Sequence, residues 1–243
     1  MRRLPQISPL FVIASMAKVL RSGRSSGLLG AWNQTPANQN PLLDPTGGFA
    51  GVDNNRPVFF IAGTTSPTFA NVATSADRTF NVPAGKPLLI PMLNTFDTLD
   101  SESTEEGIME DFRTSVTSLF ATIDGVSIAN PESDLVNTDF FSMGPFQPDS
   151  LIANLAMQAG VSIPEGTELD PTLGSGYWLM VSELSPGEHT LTFGGAQSNG
   201  FSVSVTDHIT IGVPEPATWM MLGTGFIGLA GISFRARRRS LPL

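Results

Sequence analysis

The sequence predicts a mainly β protein: an antiparallel β-sandwich of immunoglobulin-like or jelly-roll type with one or two short helices, followed by one C-terminal transmembrane helix. Three observations predict it. Glycine and proline number 24 and 19, the turn-forming content of a chain of many short strands. Between Val58 and Ile211, short apolar runs bounded by Gly, Pro, Asn and Asp recur, too brief for helices and of strand length. Finally, the 18 residues Ala217–Phe234 carry no charge and run straight into Arg235-Ala236-Arg237-Arg238-Arg239. The chain therefore divides into an N-terminal signal-like segment (1–29), a β domain (30–212) and a C-terminal segment (213–243).

In chain order, Arg2 and Arg3 precede the short apolar run Leu10–Ala17, the layout of an export signal. Lys18, Arg21 and Arg24 follow where a cleavage region is normally small and neutral, so an uncleaved amphipathic helix is the alternative. The domain opens with Trp32-Asn33-Gln34 and a loop rich in Asn, Pro, Gly and Asp up to Pro57. Val58–Ala62 (VFFIA), closed by Gly63-Thr64, reads as a buried strand. Arg78–Val82 alternates polar and apolar, Pro83-Ala84-Gly85-Lys86 turns the chain, and Pro87–Leu93 is an apolar strand interrupted by Pro91. Ser103 with Glu106 has capping-box spacing, and Ile108, Met109, Phe112, Val116 and Leu119 recur at helical spacing, predicting a helix over Thr104–Phe120. Asp124-Gly125 between Leu119–Ile123 and Val126–Ile128 is a hairpin signal. Ser150–Ala159 reads as a second short helix. Four strands close the domain, Tyr177–Ser182, His189–Phe193, Phe201–Val205 and His208–Ile211, with turns at Ser185-Pro186-Gly187-Glu188 and Gly194-Gly195-Ala196.

The order Trp32, Asn40-Pro41, Asp44-Pro45-Thr46-Gly47, Val58-Phe59-Phe60-Ile61-Ala62-Gly63-Thr64 and Val82-Pro83-Ala84-Gly85-Lys86 resembles a recurring, poorly characterised group of secreted bacterial β domains. That likeness implies a secreted fold and no particular activity.

Charge is sharply partitioned. Between Ser25 and Val213 there are four basic residues (Arg56, Arg78, Lys86 and Arg113) against 21 acidic ones, a net −17, although the whole chain carries only −9. Such a field repels nucleic acid and anionic polymers and keeps a domain soluble; nucleic-acid binding is excluded. The absence of cysteine removes disulfides, thiolate metal sites and a cysteine nucleophile.

Catalytic constellations are sparse. His189 and His208 stand beside Glu188 and Asp207 at expected strand starts, where they would share a metal or act as a base only if brought together. Seven acids between Asp97 and Asp111 suggest either a helix start or a calcium loop, but lack the Asp-x-Asp-x-Asp-Gly spacing. Trp32, Tyr177 and Trp178 are the aromatic candidates for stacking on sugars. No G-x-S-x-G elbow, H-E-x-x-H pair or phosphate-binding glycine loop occurs in the domain. The expectation is no catalytic residue, no resident metal and no cofactor.

The C-terminal segment is the most informative. A helix over Ala217–Phe234 would be about 27 Å long, close to the roughly 30 Å hydrocarbon core of a bilayer. Arg235, Arg237, Arg238 and Arg239 then act as a stop-transfer cluster held on the cytoplasmic side. Just before the span, Pro214 and Pro216 hold Glu215 in extended backbone, a form that a protease site accepts. Pro-Glu-Pro, a short Gly-rich span and an Arg cluster together closely resemble the PEP-CTERM sorting signal of exported Gram-negative bacterial proteins. The resemblance covers Val213–Arg239. It implies an inner-membrane precursor with its domain in the periplasm, handling by an exosortase-type sorting enzyme at Pro214, Glu215 and Pro216, and delivery to the cell surface or medium. The function expected is that of a non-enzymatic surface or matrix protein, with exopolysaccharide as a possible partner. A carbohydrate- or calcium-binding module and a secreted hydrolase are the alternatives.

Overall fold

A computed structural model describes residues 32–55, 57–65, 73–128, 135–158 and 160–213. After a short 3-10 turn at Ala37–Gln39, the described elements in chain order are β1 (Phe59–Phe60), β2 (Ala73–Val82), β3 (Leu88–Thr98), α1 (Glu102–Ser115), β4 (Val116–Ile123), β5 (Val126–Ser127), β6 (Leu135–Asn137), β7 (Phe141–Met143), α2 (Leu151–Gln158), β8 (Leu169–Val181), β9 (Gly187–Gln197) and β10 (Ser202–Ile211). They form two five-stranded sheets. One runs β1-β3-β8-β6, with β7 also on β8; the other runs β2-β10-β9-β4-β5.

The mainly β reading holds, but the sheets are mixed rather than antiparallel. β1 pairs in parallel with β3, and β2 in parallel with β10 along its whole length. Apolar patterning reports which face of a strand is buried and says nothing of its direction, so this feature is not written in the periodicity.

The two sheets share one core. Leu88, Ile90, Met92 and Leu93 of β3 meet Leu191 and Phe193 of β9 and Val203, Val205 and Ile209 of β10. The other face of the first sheet is covered as well, by Trp32 and Leu42 packed with Phe60, Leu89 and Trp178. Burial on both faces explains why Leu88–Leu93 of β3 and Tyr177–Val181 of β8 read as near-continuous apolar runs while β10 alternates.

The N-terminal loop is held by side-chain hydrogen bonds. Asn54 Oδ1 accepts from Phe60 N at 2.8 Å while its amide donates to Phe60 O at 2.8 Å, so one side chain stands in for a neighbouring strand beside β1. Asp44 accepts from Thr46 N and Phe49 N, both at 2.8 Å; burial alone would raise its carboxyl, but these donors and the Thr46 hydroxyl hold it below the usual range. Trp32 Nε1 donates to Val52 O at 3.1 Å.

Several boundaries differ from expectation. β3 continues through Pro91 to Thr98, with a bulge between Pro91 and Leu93, beyond the point where β1 has ended. A bulge beside an unpaired edge is where a strand tolerates proline. α1 begins and ends earlier than Thr104–Phe120. Its N-cap is Ser101, whose hydroxyl accepts from Thr104 N, and β-branched Val116 leaves the helix to pair with Gln197 of β9, with Thr117 as the bulge before Ser118. β10 is one strand, not two. Gly194-Gly195 lie within β9 rather than in a turn, which is instead formed by residues 198–200. The Asp124-Gly125 hairpin is as expected, with φ of 52° and 76° as a type I′ turn requires. The segments 1–31 and 214–243, including the anticipated transmembrane helix, lie outside the described residues; among those described, no helix is long and apolar enough to cross a membrane.

Candidate functional site

The sorting residues Pro214, Glu215 and Pro216 and the cluster Arg235, Arg237, Arg238 and Arg239 fall outside the described residues. The fold shows how the chain reaches them. Ile211 is buried, paired on one side with Val82 and on the other with Gly187. Gly212 N donates to Val82 O at 3.0 Å, and Val213 is 78% exposed. Ordered pairing thus persists to within two residues of Pro214.

The two histidines do not converge. In the β9–β10 ladder His189 stands opposite Ile209 and His208 opposite Thr190, so their side chains leave by opposite faces of the sheet. His189 Nδ1 lies 2.8 Å from Asp124 Oδ2, and its Nε2 2.8 Å from Ser185 O. Burial alone would lower His189, but the carboxylate and the carbonyl outweigh it and raise its pKa. Asp124 also receives Thr190 N at 2.9 Å; together with His189 this donor lowers its carboxyl against the effect of burial. The pair staples the Asp124-Gly125 turn to β9. His208 Nε2 meets Asp77 at 3.3 Å on the outer face.

Asp207, expected beside His208, points inward and is wholly buried with Arg78. Arg78 Nε donates to Asp207 Oδ1 at 2.7 Å and a terminal nitrogen to Oδ2 at 3.0 Å. The guanidinium also donates to the carbonyls of Ala62 and Gly63. Burial pushes the Asp207 carboxyl up while Arg78 pulls it back, leaving it raised. This pair locks the N-terminal loop onto β2 and β10, and it leaves no catalytic group free. The periodicity carried the signal: Arg78 is in phase with Phe80 and Val82, and Asp207 with Val205 and Ile209, all on the inner face.

The sugar-stacking candidates are corrected. Trp32, Tyr177 and Trp178 are 3%, 9% and 3% exposed, and none offers a face to solvent. The acids of Asp97–Asp111 are spread over β3, the following turn and α1. Among the described residues, no three His, Asp or Glu side chains gather closely enough to hold a metal ion. Glu105, not Glu106, turns inward: it is wholly buried, its Oε1 accepts from Asp100 N at 3.3 Å, and its Oε2 has no partner.

What expectation missed is a cleft of about 530 Å3 between α1 and the segment joining β6 to β7. One wall is the α1 face bearing Glu106, Met109, Glu110 and Arg113, spaced by three and four so that they share a side of the helix. The facing wall is residues 137–140, with Leu173 of β8 beneath.

The chain is a mainly β domain whose last strand hands over directly to a Pro-Glu-Pro, apolar and arginine-rich segment. Residues 212–239 match the family model described as the PEP-CTERM protein-sorting motif, and the chain carries that motif. The motif implies export and handling of a membrane-anchored precursor by an exosortase. No curated protein matches the chain. A solved chain from "Structure of PbICP-C in complex with falcipain-2" shares 12% identity over 58% of this chain and 92% of its own, with a TM-score of 0.24; so slight a likeness carries neither fold nor function.

Proposed function

We propose that this is a non-enzymatic protein of the cell surface or extracellular matrix, whose periplasmic precursor is cut near Pro216 by an exosortase-type enzyme. The observation that carries the reading is the complete order within residues 213–239: rigid Pro214-Glu215-Pro216, an uncharged span, then four arginines. Two sheets sharing one core support reading the outer domain as a β-sandwich. The exopolysaccharide around such cells is its expected environment, and the strongly acidic domain suits a soluble surface component.

The test is mass spectrometry of the termini of the surface form, in cells with and without the sorting enzyme. Wild type should lose Ala217–Leu243. Replacing Glu215 and Pro216 by alanine should leave insertion intact, because hydropathy and arginines set it, and should leave the full-length chain in the inner membrane. A mature surface form that still contains Phe226 and Arg235 would show the tail to be a plain anchor.

A further inference from the structure

We infer that the cleft beside α1 is a saccharide-binding site, suited to a neutral or amine-bearing sugar unit and closed to a uronate. Its volume of about 530 Å3 lies in the range of small-molecule sites, which join an apolar floor to a few convergent polar groups. Half-buried Phe140 supplies the apolar surface that can meet the C–H face of a sugar ring, backed from beneath by buried Met109 and Leu173.

The walls offer both kinds of hydrogen-bonding group. Glu106 and Glu110 accept. Asn137, whose Oδ1 takes the Ser175 hydroxyl at 2.7 Å, has an amide nitrogen to donate. Arg113 pairs one terminal nitrogen with Glu110, yet its Nε is buried with no partner, a costly state for a charged donor. A hydroxyl both donates to a carboxylate and accepts from a guanidinium. An alkylammonium ion or a metal ion has nothing to offer Arg113, and an anion meets the carboxylates and the domain's net −17.

The cleft lies toward one end of the two sheets. Leu173 pairs with Asp97 near one end of the first sheet, and α1 runs directly into Val116, opposite Gln197. The chain leaves the domain after Ile211, opposite Gly187, at the other end of β9. The inference itself stands on the domain alone and does not depend on the sorting reading.

Full-length protein in a zwitterionic, sugar-free detergent is applied to an array of neutral, amine-bearing and uronate oligosaccharides, and the best hit is titrated calorimetrically beside spermidine and calcium chloride. Binding to a neutral or amine-bearing glycan is expected, weakened at least tenfold by Glu106→Gln and by Asn137→Ala but unchanged by Glu165→Gln outside the cleft. Circular dichroism should be the same for all three variants, and both cleft residues are exposed. The inference is overturned if no neutral or amine-bearing glycan binds, if uronates bind best, if both cleft variants bind as wild type does, or if spermidine or calcium alone occupies the site.

Discussion

At the scale of single residues, two of the carboxylates among the described residues are wholly buried, in opposite surroundings. Asp207 lies against the Arg78 guanidinium at 2.7 Å, whereas Glu105 faces other acids. Burial raises the Glu105 carboxyl, and Asp97 on β3 and Asp100 in the turn push it further; the backbone donors of Asp100 and Leu173 oppose them only in part. A carboxyl raised on folding contributes stability that is fully present below its unfolded pKa, about 4.3, and lost as pH rises through the folded value. Glu105→Gln keeps an acceptor for Asp100 N and removes the titration. The melting temperature of the variant minus that of wild type should therefore grow between pH 4 and pH 7. A flat or shrinking difference would refute the buried titration; the constant offset between the two proteins is not the test. Neither buried carboxylate was assigned its role from the sequence, for different reasons. Arg78 and Asp207 were legible in phase with apolar neighbours, but their meeting needs the parallel β2–β10 register across 129 positions. Glu105 lies in phase with Met109 and Phe112 on the buried face of α1, whereas the capping-box spacing of Ser103 and Glu106 points to its exposed neighbour.

At the scale of elements, what was legible is what short-range chemistry decides. Asp124-Gly125 forces positive φ at two successive positions, so the hairpin needs no tertiary information. The Gly194-Gly195 pair carried no such instruction: two glycines are as good in a turn as in a crowded strand. Here crowding decides. A Cβ on Gly194 would collide with the carbonyl oxygen of Val203, and one on Gly195 would come within 2.7 Å of Ser118 O. Both obstacles are backbone, in strands hydrogen-bonded on either side of β9, and cannot swing away. Gly194→Ala should cost about 3 kcal/mol, the upper part of the range for overpacking, and lower the melting temperature accordingly. Gly107 is the contrast. It lies inside α1 with nothing within 4 Å of a built Cβ, so Gly107→Ala should raise stability by about 0.5–1 kcal/mol through backbone entropy. Thermal melts of the two variants check the pair; equal effects would mean that β9 and α1 are wrongly placed.

At the scale of the whole chain, charge and hydropathy divide the molecule more clearly than any packing does. The domain has four basic residues against 21 acidic ones, while four arginines crowd into residues 235–239. This partition was legible because it is linear: membrane insertion reads apolar length and flanking charge in sequence order, whereas the sheets depend on partners far apart in the chain. The proposed span is marginal, about 27 Å if helical against a core of about 30 Å, and Gly223, Gly225, Gly228 and Gly231 lower its helix propensity further. The arginines must then supply much of the retention, since each costs about 2.5–3.5 kcal/mol at the centre of a membrane helix. Replacing Arg235, Arg237, Arg238 and Arg239 together by glutamine should reduce the membrane-retained, correctly oriented precursor several-fold before any cut is made. Protease added to spheroplasts lacking the sorting enzyme reads this directly: it should digest the domain of wild type and of the Glu215/Pro216 alanine variant alike, leaving the C-terminus protected. The arginine variant should instead give precursor lost to the medium or protected along its length. Full retention in the wild-type orientation without the arginines would place the stop-transfer signal in the apolar run alone.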